Sequence, residues 1–193
     1  GHMVCSYSTT PDKKFVKFPG DPKVDSLLPN KPGLNWFVWD MRYETLPGVS
    51  NVFIEGSCHG RKVAPGKYTA RLKTDKEEKT TTITILPDPR INATATEYLQ
   101  QQQTLAEVDN KVKEIHDAVN QMRTVRSQIN ELLDLLTDTV KYKQVIDSGK
   151  KLVKKITAWE EKLVQPKAQS NDDIINFVNM LSADYIFLKG EMD

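Results

Sequence analysis

The sequence predicts an α+β chain in two segregated domains: a β-sandwich over residues 4–90, then an antiparallel bundle of about three helices over 91–193, the first of them long. Three observations carry this. Glycine and proline are frequent before residue 90, where apolar residues alternate with polar ones. Around Pro87 to Arg90 the spacing changes to steps of three and four, and glycine nearly vanishes. The helical spacing then persists far longer than one ordinary globular helix.

In the first half, Phe15 to Phe18 reads as a weak strand. Leu34 to Trp39 reads as a strong one, with Phe37 and Trp39 on one face and Trp36 and Val38 on the other. Asn51 to Glu55 is a third. Tyr68 to Leu72 sets Tyr68, Ala70 and Leu72 against Thr69 and Arg71, and Thr80 to Leu86 sets Ile83 and Ile85 against threonines. Alternation of this kind buries one face of a strand. Pro47-Gly48, Pro65-Gly66 and the polar run Asp75 to Lys79 supply the turns. Asp40 and Arg42 share strand parity and can lock a corner by charge-assisted hydrogen bonds. Pro87 and Pro89 predict a stiff link to the second half.

Thr94 with Glu97 three residues later predicts the first helix start, since each side chain can satisfy the other's free backbone N–H. Leu105, Val108, Val112, Ile115, Val119, Met122, Ile129, Leu133, Leu136 and Val140 form one seam, interrupted by Arg126. A helix of about 40 residues implies a hairpin or coiled coil. A link at Asp138 to Lys141 leads to a second helix over Tyr142 to Val164. Its expected seam is Val145, Leu152, Ile156, Trp159 and Leu163, with Gly149 allowing close approach. Pro166 stops it. Ser170 with Asp173 then caps a third helix carrying Ile174, Phe177, Val178, Leu181, Tyr185 and Leu188.

The 193 residues are 38% hydrophobic and 27% charged, with 27 basic and 26 acidic side chains and a net charge of +1. That balance argues against a nucleic-acid binder, which is normally basic. The first 90 residues sum to +4 and the rest to −3, too small a split to predict a polyanion partner. Lys150, Lys151, Lys154 and Lys155 read as a solvated helix face. No apolar run approaches the roughly 18–20 residues that span a bilayer. Gly1-His2-Met3 reads as the remnant of a cleaved tag. Cys5 and Cys58 do not make a disulfide framework; two reduced thiols are expected, with a single bridge between them as the alternative.

Two motifs carry a resemblance. Residues 33–43 read GLNWFVWDMRY and residues 63–72 read VAPGKYTARL. The pair resembles the FlgD-like immunoglobulin-type module of secreted bacterial proteins. Asp88-Pro89-Arg90, the helical HDAVNQMRTVRSQ and the late DDIINFVNMLSADYIFLKGEMD extend it. Together they look like the C-terminal accessory region of sortilin-type or BNR-repeat, glycosidase-like propeller proteins, common in Bacteroidetes. The resemblance implies an immunoglobulin-like sandwich, a secreted, periplasmic or outer-surface location, and an upstream β-propeller as partner. It transfers no catalytic residue, because the glycosidase label belongs to the propeller repeats. It also implies further helical sequence that would cover part of the bundle's apolar face.

No catalytic, cofactor or metal constellation is expected. Cys58 and His59 are adjacent and would point to opposite faces of a strand, which makes them poor joint ligands. Ser57 or Cys58 beside His59 lacks a nucleophile elbow and reads as a polar loop. His116 lies beside the helix seam and reads as a flank residue. Asp40, Glu44 and Glu55 are glycosidase carboxylates by type alone, with nothing fixing their separation. Two functions remain. The first is a non-catalytic structural and interaction module that docks on the propeller and self-associates as a homodimer through the bundle. The second is a carbohydrate-binding module in which Trp36 and Tyr43 stack on sugar rings of a polysaccharide.

Overall fold

A computed structural model describes residues 2–11, 27–54, 56–168 and 170–193. Two antiparallel strands, β1 (Gly66–Lys73) and β2 (Glu78–Ile85), form a hairpin. Three α-helices follow: α1 (Ala95–Leu135), α2 (Lys143–Leu163) and α3 (Leu181–Met192), with a short 3-10 helix, Asn171–Ile175, before the last.

The expected β-sandwich is absent among the described residues: β1 and β2 make the sole sheet there, so there is no second layer. The strands that do form are the two whose alternation is joined by a short polar turn, so that pairing is local. Gly66 pairs with Ile85 and Lys73 with Glu78. Leu34 to Trp39 keeps the expected two-sidedness without becoming a strand. Phe37 packs on Tyr7 with ring centroids 4.6 Å apart, and Trp39 meets Tyr68 edge-on at 6.0 Å. Trp36 and Val38 face solvent. The expected strand at Asn51 to Glu55 is also replaced. Asn51 has a left-handed backbone (φ 54°), and the Phe53 N–H donates to the Ala168 carbonyl after α2 rather than to a strand. Glu55 and the weak strand at Phe15 to Phe18 lie outside the described residues.

α1 begins where its capping box predicts: the Glu97 N–H donates to Thr94 Oγ1 at 3.3 Å and the Thr94 N–H to Glu97 Oε2 at 2.6 Å. It ends at Leu135, so Val140 falls in the link, exposed. Contacts between Leu133 and Gly149, Arg126 and Thr157, and Arg123 and Glu160 run α2 antiparallel to the second half of α1. Contacts between His116 and Ser182, Asp109 and Lys189, and Gln101 and Met192 run α3 antiparallel to the first half. The expected antiparallel bundle of about three helices thus takes the form of two helical pairs placed end to end along the long α1.

The third helix is shorter than expected. Ser170 and Asp173 do form a capping box, but on the 3-10 turn, and α3 starts only at Leu181. The seam of α2 is also rotated by one residue. Ile146, Gly149, Val153, Ile156 and Leu163 face α1, whereas Val145, Leu152 and Trp159 stand to the side, half exposed. Gly149 lets α2 approach α1 closely: a Cβ there would lie 2.9 Å from Leu133 Cδ2.

The core lies along the first half of α1. Leu105, Val108, Val112, Ile115 and Val119 are buried. Val112 packs with Leu46 and Ile186, and Val119 with Val49, Val52 and Val164. Residues 42–54 and 56–64 therefore wrap the helix as an irregular strap, closed by one bridge between Arg42 and Lys62.

Candidate functional site

An irregular strap leaves backbone carbonyls that no sheet satisfies, and a buried carbonyl without a partner is costly. α1 meets this need with a column of polar side chains at seven-residue spacing: Gln102, Asp109, His116 and Arg123. Seven residues make nearly two full turns, so all four project from one edge of the helix beside the apolar seam. Gln102 Nε2 donates to the Lys62 carbonyl at 2.9 Å. His116 Nδ1 lies 2.5 Å from the Pro47 carbonyl. Arg123 donates to the Ser50 carbonyl, and Asn120, one turn below, donates to the Gly48 carbonyl at 2.9 Å.

Asp109 holds the strap by charge. Its Oδ2 accepts from Arg61 Nη1 at 3.0 Å, and its Oδ1 meets Lys189 Nζ of α3 at 2.8 Å, an ion contact rather than an aligned hydrogen bond. Arg61 in turn sits over Tyr43, with the guanidinium carbon 3.6 Å from the ring centroid. Lys189 also donates to the His59 carbonyl. Asp109 and Lys189 are both buried, so each is compensated by the other.

His116 flanks the seam, as its spacing implies, and is fully buried there. A carbonyl can only accept, so Nδ1 carries the proton toward Pro47. Nε2 is then the acceptor, 2.5 Å from the buried Ser182 hydroxyl. Burial holds this imidazole below its ordinary pKa, with the Pro47 carbonyl and Asp117 opposing. The pair has a nucleophile–base–orienter order. Both residues are sealed from solvent, which leaves a substrate no path to the hydroxyl. Its chemistry is that of a latch joining strap, α1 and α3.

A second buried charge completes the column. Glu160 of α2 accepts from Arg123 Nε at 2.7 Å and from Arg126 Nη1 at 2.6 Å. The seam interruption at Arg126 is therefore matched by a carboxylate on the facing helix. An open cleft of about 520 Å³ borders these groups with Ser50, Asn51 and Thr157. At the other end, Asp193 accepts from the Lys62 N–H at 2.7 Å and pairs with Arg42 at 2.5 Å. Burial pushes that carboxyl up, but the Lys62 N–H and the Arg42 guanidinium outweigh it and hold it below the usual range.

The residues singled out from sequence are scattered by comparison. Trp36 is 80% exposed, whereas Tyr43 is half-buried under Arg61, so the two do not share a described surface contact. The Asp40 carboxylate accepts the Arg42 backbone N–H at 3.1 Å; the Arg42 guanidinium goes instead to Gly60 and Asp193, so the expected side-chain lock is not formed. Ser57 Oγ accepts the His59 N–H at 3.1 Å, a local turn. Burial pushes the Cys58 thiol up, with Lys189 opposing, and no disulfide joins Cys58 to Cys5. Among the described residues no group of three His, Cys, Asp or Glu is placed to hold a metal, and no helix is long and apolar enough to cross a membrane. The signal for the polar column was present: Gln102, Asp109, His116 and Arg123 recur every seven residues beside the seam.

Compared with known protein families, curated proteins and solved structures, the chain matches none.

Proposed function

We propose that this chain is a non-catalytic structural and interaction module, serving at the C-terminal end of a larger secreted bacterial β-propeller protein and binding both that propeller and a second copy of itself. One observation carries the reading. The buried polar residues Asp109, His116, Glu160, Ser182 and Lys189 are all spent on holding the strap and the helices to α1. Large apolar side chains meanwhile stand in solvent, Leu34, Trp36 and Val38 among them. Chemistry needs an accessible polar group, and recognition needs an accessible apolar one. The placement beside a propeller rests on the GLNWFVWDMRY and VAPGKYTARL resemblance.

The test is isothermal titration of this chain with the propeller region of its parent protein. Binding weakened about tenfold or more by Trp36→Ser is the expected result, the usual effect of losing an aromatic anchor. No heat at about 100 μM would refute the docking reading.

A carbohydrate-binding role is the second reading, favoured by the 80% exposure of the Trp36 ring. Planar exposed rings stack on sugar faces. Tyr43, covered by Arg61, does not share in it. Depletion of the chain by insoluble polysaccharides, abolished by Trp36→Ala, would support this reading; full recovery in the supernatant would end it.

A further inference from the structure

The α1–α2 hairpin has two unlike sides. Written as heptads, the α1 seam is Met122, Arg126, Ile129, Leu133 and Leu136 at positions d and a, and the α2 seam continues it with Ile146, Gly149, Val153 and Ile156. Positions e and g flank such a seam, and running one helix backwards brings like edges together. The e side is polar: Arg123 and Asn130 face Lys143, Lys150 and Thr157. It carries the Glu160 clamp and the strap. The g side is apolar: Val125 and Leu132 on α1, and Val145, Leu152 and Trp159 on α2, exposed by between 44% and 60%.

This open face is two helices wide and about 21 Å long from Val145 to Trp159, at about 1.5 Å per residue. The seam beneath it is only half-buried, unlike the fully buried seam under the strap and α3. A helical layer with one apolar face needs another layer upon it.

We propose that the layer is the same hairpin of a second copy of this chain, forming a four-helix bundle; this rests on the interaction-module reading and names its surface. Charge selects the occupant. On the outer side of the face α1 carries the uncharged Gln121, Gln128 and Leu135 and, one row further out, Glu131, with Asp138 just beyond its end; α2 carries Lys155 and Lys162 and, one row further out, Lys151, all exposed. A two-fold axis running along the hairpin sets each α1 over the partner's α2. Acidic and basic edges then meet. The alternative axis would set α2 on α2 and oppose lysines, which complementarity disfavours. The shape requirement is met by symmetry, because a two-fold contact uses one patch twice.

The test is sedimentation equilibrium of the full chain from about 1 to 200 μM, a range that brackets a micromolar dimer. Wild-type protein, Leu152→Glu, Trp159→Lys and Trp36→Ser are compared, with circular dichroism to confirm helix content. The expected result is a weight-average mass that rises from near the monomer value toward twice that value across the range for wild type and for Trp36→Ser. Leu152→Glu and Trp159→Lys, which would bury a charge in the contact, move the midpoint up by about 100-fold or more. A wild-type monomer throughout, a stoichiometry other than two, or a dimer indifferent to both hairpin variants overturns the proposal. Since Trp36 lies away from the hairpin face, failure here leaves the docking reading standing on its own titration.

Discussion

Replacing His116 with leucine tests whether the polar column holds the fold. Leucine fills a similar volume, so the cavity contribution is small, and the loss is one of hydrogen bonding. The imidazole bridges two groups at 2.5 Å each, the Pro47 carbonyl and the Ser182 hydroxyl. Orphaning a buried polar group costs about 1–3 kcal/mol. Ser182 lies in the first turn of α3 and can rotate toward a backbone carbonyl, so its share falls at the low end. The expected destabilisation is about 2–4 kcal/mol. Urea denaturation followed by circular dichroism measures it, with an unchanged slope showing that the same surface unfolds. Adding Ser182→Ala to the leucine variant should recover part of the loss, because one orphan is removed. The pH dependence has a fixed sign. His116 is held below its unfolded pKa of about 6.5, so the unfolded chain binds the proton more readily. Its stabilisation is full above about 6.5 and is lost as pH falls through the folded value. A leucine variant within about 0.5 kcal/mol of wild type, the range of ordinary surface changes, would refute the latch.

Four further outcomes follow from contacts at three other positions. Glu160→Gln leaves Arg123 and Arg126 facing a neutral amide and should cost about 3 kcal/mol in the same denaturation assay, since breaking one partner of a buried ion pair strands the others. Gly60→Ala should lower the thermal midpoint sharply, because its Cβ would collide with the Tyr43 carbonyl, which is backbone and cannot swing aside. Gly149→Ala should be near neutral: the helix-propensity gain of about 1 kcal/mol offsets a crowded but movable Leu133 methyl. Gly149→Leu should instead pry the helices apart and cost about 1–3 kcal/mol by overpacking.

The helical half was legible because its signals are local. A capping box and a three-four apolar period depend on residues a few positions apart, and Thr94, Glu97 and the seam from Leu105 to Leu136 act as their spacing implies. The hairpin was legible for the same reason. The sandwich was not, because alternation states that a segment has two faces and says nothing of what covers them. Leu34 to Trp39 keeps its alternation while remaining unpaired. The phase of α2 was misread because Val145, Leu152 and Trp159, spaced by seven, mimic a seam. The true seam keeps Gly149, as its lack of a side chain implies, and includes the charged Glu160, which hydrophobicity passes over.

His116 shows what a purely apolar reading of a helix omits. Beside the seam of α1, one edge position recurs as Gln102, Asp109, His116 and Arg123, and each can give or take a hydrogen bond in a way leucine cannot. A segment with few strand partners leans, beyond its apolar packing, on side chains that reach its carbonyls or pair its charges. The helix therefore does the work of a neighbouring strand, with one contact every two turns where a strand would offer one every two residues. So sparse a ladder is strong where its rungs are dry, as at Asp109 and His116, which are buried, and weaker at the Gln102 rung, whose hydrogen bond to Lys62 is exposed. Loss of a single rung should therefore loosen the strap locally before α1 itself melts. Hydrogen exchange at the Phe53 and Val63 amides, which are bonded outside the helices, should accelerate in the His116→Leu variant while the amides of α1 near Val112 stay protected. Uniform acceleration of both sets would mean that strap and helix unfold as one unit, and that the rungs are not independent.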